Sequence, residues 1–125
     1  MTTIWPLSTR DYLGDELTMS VLVRFTYEVR PGRFQDFMAK LGKAASPEFS
    51  SESMPVSVRL FKNSVPGPDT SQLVLHIEYE DMAAYGARTD FEINNTAWRE
   101  LFGAKPDSPE RLLSVEILTE LGQDT

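Results

Sequence analysis

His76 is the only histidine in the chain, and it stands inside an apolar segment, LVLHIEYE, residues 73–80. His76 and Glu78 are two residues apart, so on an extended segment their side chains point the same way. An imidazole beside a carboxylate can give or take a proton near neutral pH. Arg24 and Arg59 fall in two other alternating segments. Guanidinium groups brought beside that pair could hold a carboxylate or enolate oxygen. His76, Glu78, Arg24 and Arg59 are therefore candidate catalytic groups for an enolising, isomerising or cyclising step. The same charges have a simpler use, because ion pairs of both signs on one sheet face can set the register of two packed sheets.

A second set is aromatic. Phe25, Tyr27, Tyr79 and Tyr85, with Asn94 and Trp98, would make a wall suited to a flat organic ligand. Asn94 and Trp98 are four apart, so on one helix their side chains would touch. The plainer alternative is a core whose tyrosine hydroxyls and indole N–H reach the edge. Side-chain types cannot separate the two readings, and the two sets fall on opposite faces of the strands that carry them.

Other chemistries are excluded by counting. The chain has no cysteine, so disulfides and thiolate ligands or nucleophiles are ruled out. With a single histidine a zinc site is disfavoured, and no spaced acidic loop for calcium occurs. No nucleophile elbow or phosphate-binding glycine loop is present. Neither metal nor organic cofactor is expected. Net charge is −7 over 125 residues, and no basic cluster offers itself to phosphates, so no nucleic-acid partner is expected. No apolar run approaches the roughly 18 residues of a membrane span. Residues 1–18 lack the basic-then-apolar order of a secretory leader. A cytoplasmic protein away from membranes is expected, its acidic balance serving solubility.

The elements that must position these residues follow from hydrophobic period. SVLVRFTYEV (20–29) alternates, with Val21, Val23, Phe25, Tyr27 and Val29 on one face. Arg30, Pro31 and Gly32 turn the chain. Phe34, Phe37, Met38, Leu41 and Ala45 then fall at helical spacing over about three turns. Residues 46–55 read as loop. VSVRLFKN (56–63) and the opening segment alternate as two further strands, separated by a PGPD loop. Asp81 is a good N-cap for one or two helices over 81–102, with Ile93, Ala97 and Leu101 as the apolar line and Trp98 and Phe102 beside it. Gly103, Pro106 and Pro109 break that helix, and 112–121 form a fourth strand with Leu113, Val115, Ile117 and Leu121 on one face. Residues 1–19 are expected as an N-terminal arm, apolar enough at Ile4, Trp5, Leu7, Tyr12, Leu13 and Leu17 to pack on the domain or on a partner subunit. Residues 20–125 are expected as a single domain, a size able to hold one core.

The order β-α-β-β-α-β predicts a ferredoxin-like α+β fold, a four-stranded antiparallel sheet in order 4-1-3-2 with helices on one face. The second face mixes charges with Leu22, Phe61, Val74 and Leu118, which suits contact with a second copy. RFTYEVRPGRFQDFMAKL and LVLHIEYEDMAAYGARTDFEINNTAWRELF resemble the first strand, turn and helix, and the third strand and second helical segment, of the dimeric α+β barrel superfamily. The closest branches are those similar to antibiotic-biosynthesis monooxygenases and NIPSNAP proteins, over roughly residues 20–121. That resemblance implies a homodimer paired through the open sheet faces. It also implies a cofactor-independent step on an aromatic or polyketide-like molecule, either monooxygenation or cyclisation. The alternative is a ligand-binding or accessory protein of the same fold. Oxygenases of this superfamily use an Asn, a Trp and an Arg in the pocket, which gives Asn94 and Trp98 their interest. Haem-degrading members carry an Asn on the first strand and a His on the later helix; Phe25 and a helix without His depart from both.

Overall fold

The computed structural model describes residues 20–67 and 71–121; the arm expected over 1–19 lies outside them. Four strands, β1 (Val21–Val29), β2 (Ser57–Lys62), β3 (Gln72–Tyr79) and β4 (Glu110–Thr119), alternate with helices α1 (Phe34–Ala44), α2 (Met82–Ile93) and α3 (Thr96–Phe102). The sheet order is β2-β3-β1-β4, all antiparallel. This is the ferredoxin-like arrangement expected from the sequence, in the strand order 4-1-3-2.

Local chemistry explains the joints. Pro31 and Gly32 occupy the middle of a four-residue turn closed by Arg33 N–H donating to the Arg30 carbonyl at 3.0 Å. Gly32 has φ +76°, which a side chain at that position would resist. Asp81 caps α2 by accepting from the Ala84 N–H at 2.8 Å, as its residue type predicts. The long helical segment is two helices. Asn94 ends α2, and Asn95 starts α3 by accepting from the Trp98 N–H at 2.9 Å. That break separates Asn94 from Trp98, and Ile93 lies 58% exposed instead of facing inward.

Alternation along the strands fills the helix side of the sheet. Tyr27, Val29, Leu73 and Leu75 pack around Phe37 of α1, and Val21, Val23 and Tyr79 form a second buried group. One register detail departs from the sequence pattern. Thr26 pairs with Ser114 but Tyr27 pairs with Leu112, so Leu113 is the extra residue of a bulge. Strict alternation assigns Leu113 to the inner face; the bulge puts Leu112 opposite Tyr27 in its place. β4 also starts at Glu110 rather than 112. Residues 46–55 are loop apart from a 3-10 turn, Pro47–Phe49, whose Phe49 is 1% exposed. Among the described residues no helix is long and apolar enough to cross a membrane.

Candidate functional site

Sheet and helices do not close fully on one another. Between them lies a cavity of about 990 Å³, at the upper end of the range for small-molecule sites. β1 and β3 lay its floor with Val23, Phe25, Tyr27, Leu75, Ile77 and Tyr79, and α2 and α3 contribute Tyr85, Arg88, Glu92, Trp98 and Phe102. Aromatic rings are held by one another. Phe25 stacks on Tyr27 with centroids 6.1 Å apart, Tyr27 meets Phe37 at 5.0 Å, and Tyr85 sits edge-on to Tyr79 at 5.5 Å. Trp98 contacts Phe49 at 5.2 Å and Phe102 at 4.8 Å. These contacts fix ring planes while leaving faces and edges toward the cavity.

Of the aromatic set expected from the sequence, Phe25, Tyr27, Tyr79, Tyr85 and Trp98 line the cavity. Asn94 does not. It is exposed, and its Nδ2 donates to the Asp90 carbonyl at 2.9 Å. The reason is the helix break: Asn94 and Trp98 belong to different helices, so the i, i+4 contact does not exist.

The most deeply buried of the polar residues lining the cavity is Arg88, only 3% exposed. Its Nε donates to Glu92 Oε2 at 2.8 Å. Its Nη1 donates to the Phe49 carbonyl at 2.6 Å and to Ser51 Oγ at 3.0 Å, beside Met54 Sδ at 3.4 Å. Its guanidinium lies over the Phe91 and Trp98 rings at 4.7 and 5.1 Å. Arg88 thus ties α2 to the 46–55 loop, where a buried charge needs all these partners. Burial pushes the Glu92 carboxyl up from its ordinary 4.5, and the Arg88 hydrogen bond and charge oppose that rise. Burial, with Glu92 adding to it, pushes the Tyr79 phenol up to about 12, against the pull of Arg88. Tyr27 is raised too, by burial first, then by Glu110 and Glu92. At the β4 end, Lys40 and Glu110 form a pair at 2.7 Å with both side chains under a tenth exposed, and Lys40 lies over the Phe102 ring at 5.2 Å.

Arg88 and Glu92 were not among the candidates from the sequence, but a signal existed. Ala84, Tyr85, Arg88 and Glu92 share one helical stripe, and an Arg–Glu pair four apart beside an aromatic is a charge pair on an inward face.

The charged set lies on the other side of the sheet. Register places His76 opposite Arg24 on β1 and Arg59 on β2, and Arg24 opposite Glu116 on β4, as the strand order implies. Arg24 Nε donates to His76 Nε2 at 3.3 Å, and its Nη1 meets Glu116 Oε1 at 3.3 Å. His76 packs on the Phe61 ring at 4.8 Å, and Arg59 lies over the same ring at 5.0 Å. Glu78 turns to Ser57, accepting from its hydroxyl at 3.4 Å. Desolvation lowers the His76 pKa, with Arg24 and Arg59 lowering it further. His76 Nε2 thus accepts from a cation, and among the described residues no carboxylate pairs with it. A depression of about 340 Å³ opens beside it, lined by Ser20, Leu22, Ser57, Arg59, Glu78 and Leu118 among others.

No family model and no curated protein matches the sequence. Solved structures do. A candidate antibiotic biosynthesis monooxygenase from Bordetella bronchiseptica aligns with TM-score 0.57 and 19% identity, over 82% of this chain and 98% of that one. A NIPSNAP-like domain protein from Burkholderia xenovorans aligns with TM-score 0.57 and 18% identity, over 86% and 87%. A dimeric ferredoxin-like protein from an uncultured marine organism aligns with TM-score 0.59 and 12% identity, over 84% and 98%. The chain shares their ferredoxin-like α+β fold. At such identities the likeness is one of fold, and what the cavity does must be argued from its own residues.

Proposed function

We propose that the chain is a small homodimeric enzyme that takes a hydrophobic aromatic or polyketide-like molecule into the cavity between sheet and helices. There it carries out a tailoring step, oxygenation or cyclisation, without metal or organic cofactor, in the cytoplasm. One observation carries this reading: about 990 Å³ of space walled by aromatic rings, with a single buried Arg–Glu pair set into the helix side. A flat ligand stacked on those rings would leave its oxygens to Tyr27, Tyr79 and Glu92. In an oxygenation of this kind the substrate supplies the electrons itself, and the protein orients it, excludes water and moves a proton. The dimeric fold neighbour and the mixed open face support the homodimer, in which Arg24, Arg59, His76 and Glu116 pair along the seam and fix its register.

The test is a melting-temperature screen with anthrones, anthraquinones and polyphenols, followed by oxygen uptake and product analysis without added cofactor. A ligand at about one hundred times its Kd adds about 2.7 kcal/mol, a shift on the order of 10 °C. Turnover of a stabilising ligand supports the enzyme. Stabilisation without turnover by any of them favours the accessory role. No shift from any compound refutes the cavity as a ligand site.

A further inference from the structure

The helix side of β4 is left bare. Leu112 lies opposite Tyr27, Val115 opposite Phe25 and Ile117 opposite Val23, so all three stand on the face where the sheet has its core. On β1 that face is closed, with Val21, Val23, Tyr27 and Val29 each under a tenth exposed. On β4 the same face is open: Leu112, Val115 and Ile117 are 49%, 46% and 46% exposed. β4 is also an edge of the sheet and ten residues long. A long apolar edge strand left uncovered invites pairing with other chains, and proteins cover such edges with a helix or loop of their own. Leu112 and Val115 also line the cavity, so whatever covers this stripe walls the cavity on that side.

Pairing of two open sheet faces does not reach the stripe. It covers Leu118, which lies opposite Leu22 on the other face. The chain itself holds a suitable segment. Residues 1–19 carry Ile4, Trp5, Leu7, Tyr12, Leu13 and Leu17, and they lead into Ser20 beside the end of β4. There the Ser20 carbonyl accepts from the Glu120 N–H at 3.1 Å, Ser20 Oγ donates to Glu120 Oε1 at 2.7 Å, and Val21 pairs with Thr119. From Thr119 back to Leu112 is about 24 Å of strand, and 19 residues reach about 65 Å at full extension. The segment is long enough to turn back and run the length of the stripe. The Bordetella and marine structures align over 98% of their own length but over only 82% and 84% of this chain, so this chain carries residues that those folds do without.

We propose that residues 1–19 fold back over β4 of their own chain, seating their apolar side chains on Leu112, Val115 and Ile117 and walling the β4 side of the cavity. The occupant of the stripe is thus the chain's own N-terminal segment, and a second copy is left to the opposite face. Burial of apolar surface on both partners drives the contact. Because the segment is tethered at Ser20, docking is intramolecular and independent of protein concentration.

The chain has no cysteine, so introduced pairs meet no competing thiol. In the full chain, Leu7→Cys, Tyr12→Cys or Leu13→Cys is combined with Leu112→Cys, Val115→Cys or Ile117→Cys, oxidised in dilute solution and read by intact mass and non-reducing gels. Val58→Cys, 58% exposed on β2 at the opposite edge, is the control partner. A disulfide needs Cα atoms within about 7 Å. Disulfides within one chain are expected for β4 partners and not for Val58→Cys. Bonding to Val58→Cys as readily as to β4 overturns the proposal, and so do bonds between two chains, which make the occupant a second copy's segment. Fluorescence reads docking without depending on register. Trp98→Phe leaves Trp5 as the only indole; its quenching by acrylamide is expected to be weak, and to rise toward that of free tryptophan when Ile117→Asp is added. Where circular dichroism shows that Ile117→Asp unfolds the chain, Ile117→Ser takes its place. A Trp5 quenched like free tryptophan in Trp98→Phe, or protected but indifferent to the change at Ile117, overturns the proposal. None of these outcomes touches the cavity reading, which the melting screen decides separately.

Discussion

Arg88→Met separates a braced cavity wall from an incidental ion pair. Methionine keeps the length and apolar stem of the side chain but removes every donor. The Phe49 carbonyl, in a buried position, and Ser51 Oγ lose their bonds, and each buried acceptor left unmade costs about 1–3 kcal/mol. Glu92 loses its cation. Removing one partner of a buried pair costs about 3–5 kcal/mol, and the lower end applies because a quarter of the Glu92 side chain remains exposed. These terms overlap, since one side chain makes all the contacts. A total near 4 kcal/mol is expected, on the order of 15 °C in melting temperature.

The pH dependence is the sharper readout. Glu92 has a folded pKa above its unfolded 4.5, so between those values the folded state binds more protons than the unfolded state. Stability then falls as pH rises through that window. Without Arg88 the folded value climbs further, and the window extends upward. The deficit of Arg88→Met is therefore largest near neutrality and narrows as pH falls toward about 4.5. Urea unfolding followed by fluorescence at about pH 7.5 and about pH 5 measures it, and adding Glu92→Gln to Arg88→Met should recover about half of the loss at the higher pH. An equal deficit at both pH values, or a double variant no more stable than Arg88→Met, refutes the account of Glu92 as a charge that Arg88 compensates.

Three further outcomes are expected. Lys40→Met leaves the Glu110 carboxylate buried without its cation, so urea unfolding should show a loss of about 3–5 kcal/mol, much of it restored in Lys40→Met/Glu110→Leu. His76 has a folded pKa below its ordinary 6.5; the unfolded state binds more protons, so this group's contribution falls as pH drops below about 6.5. His76→Phe should flatten the stability profile over that range, and an unchanged slope would count against it. Leu118→Asp, on the open face at 39% exposure, should convert a dimer to monomer in sedimentation if that face is the seam, and leave the mass unchanged if it is not.

How much of this was readable in the sequence depended on the range of the interaction. Period-2 alternation in 20–29 and 73–80 placed Phe25, Tyr27 and Tyr79 on the helix side and Arg24 and His76 on the other, because strand geometry allows no other assignment. The cap at Asp81 was equally local. Long-range partners were not legible. Nothing in SPEFSSESMP marks Phe49 as fully buried, since its burial depends on Trp98 arriving from α3 and on Arg88 reaching its carbonyl. The bulge at Leu113 is set by how β4 meets β1, and two asparagines in a row stop one helix and start the next, which took Asn94 out of the wall.

The same alternation bears on mechanism. His76 and Leu75 are neighbours in sequence, yet one faces the arginines of the open side and the other faces the cavity. A strand separates them by the thickness of the sheet, and no side chain passes through it. His76 cannot move a proton for a ligand lying on Tyr27 and Tyr79. Any proton transfer in that cavity falls to a group on its own walls, whose titratable residues include Tyr27, Tyr79, Tyr85, Glu92, Lys105 and Glu110. Burial raises both the Tyr27 and Tyr79 phenols above their ordinary value, Tyr79 to about 12, so each keeps its proton near neutrality. The single histidine stands with Arg24, Arg59 and Phe61 on the opposite face of the sheet.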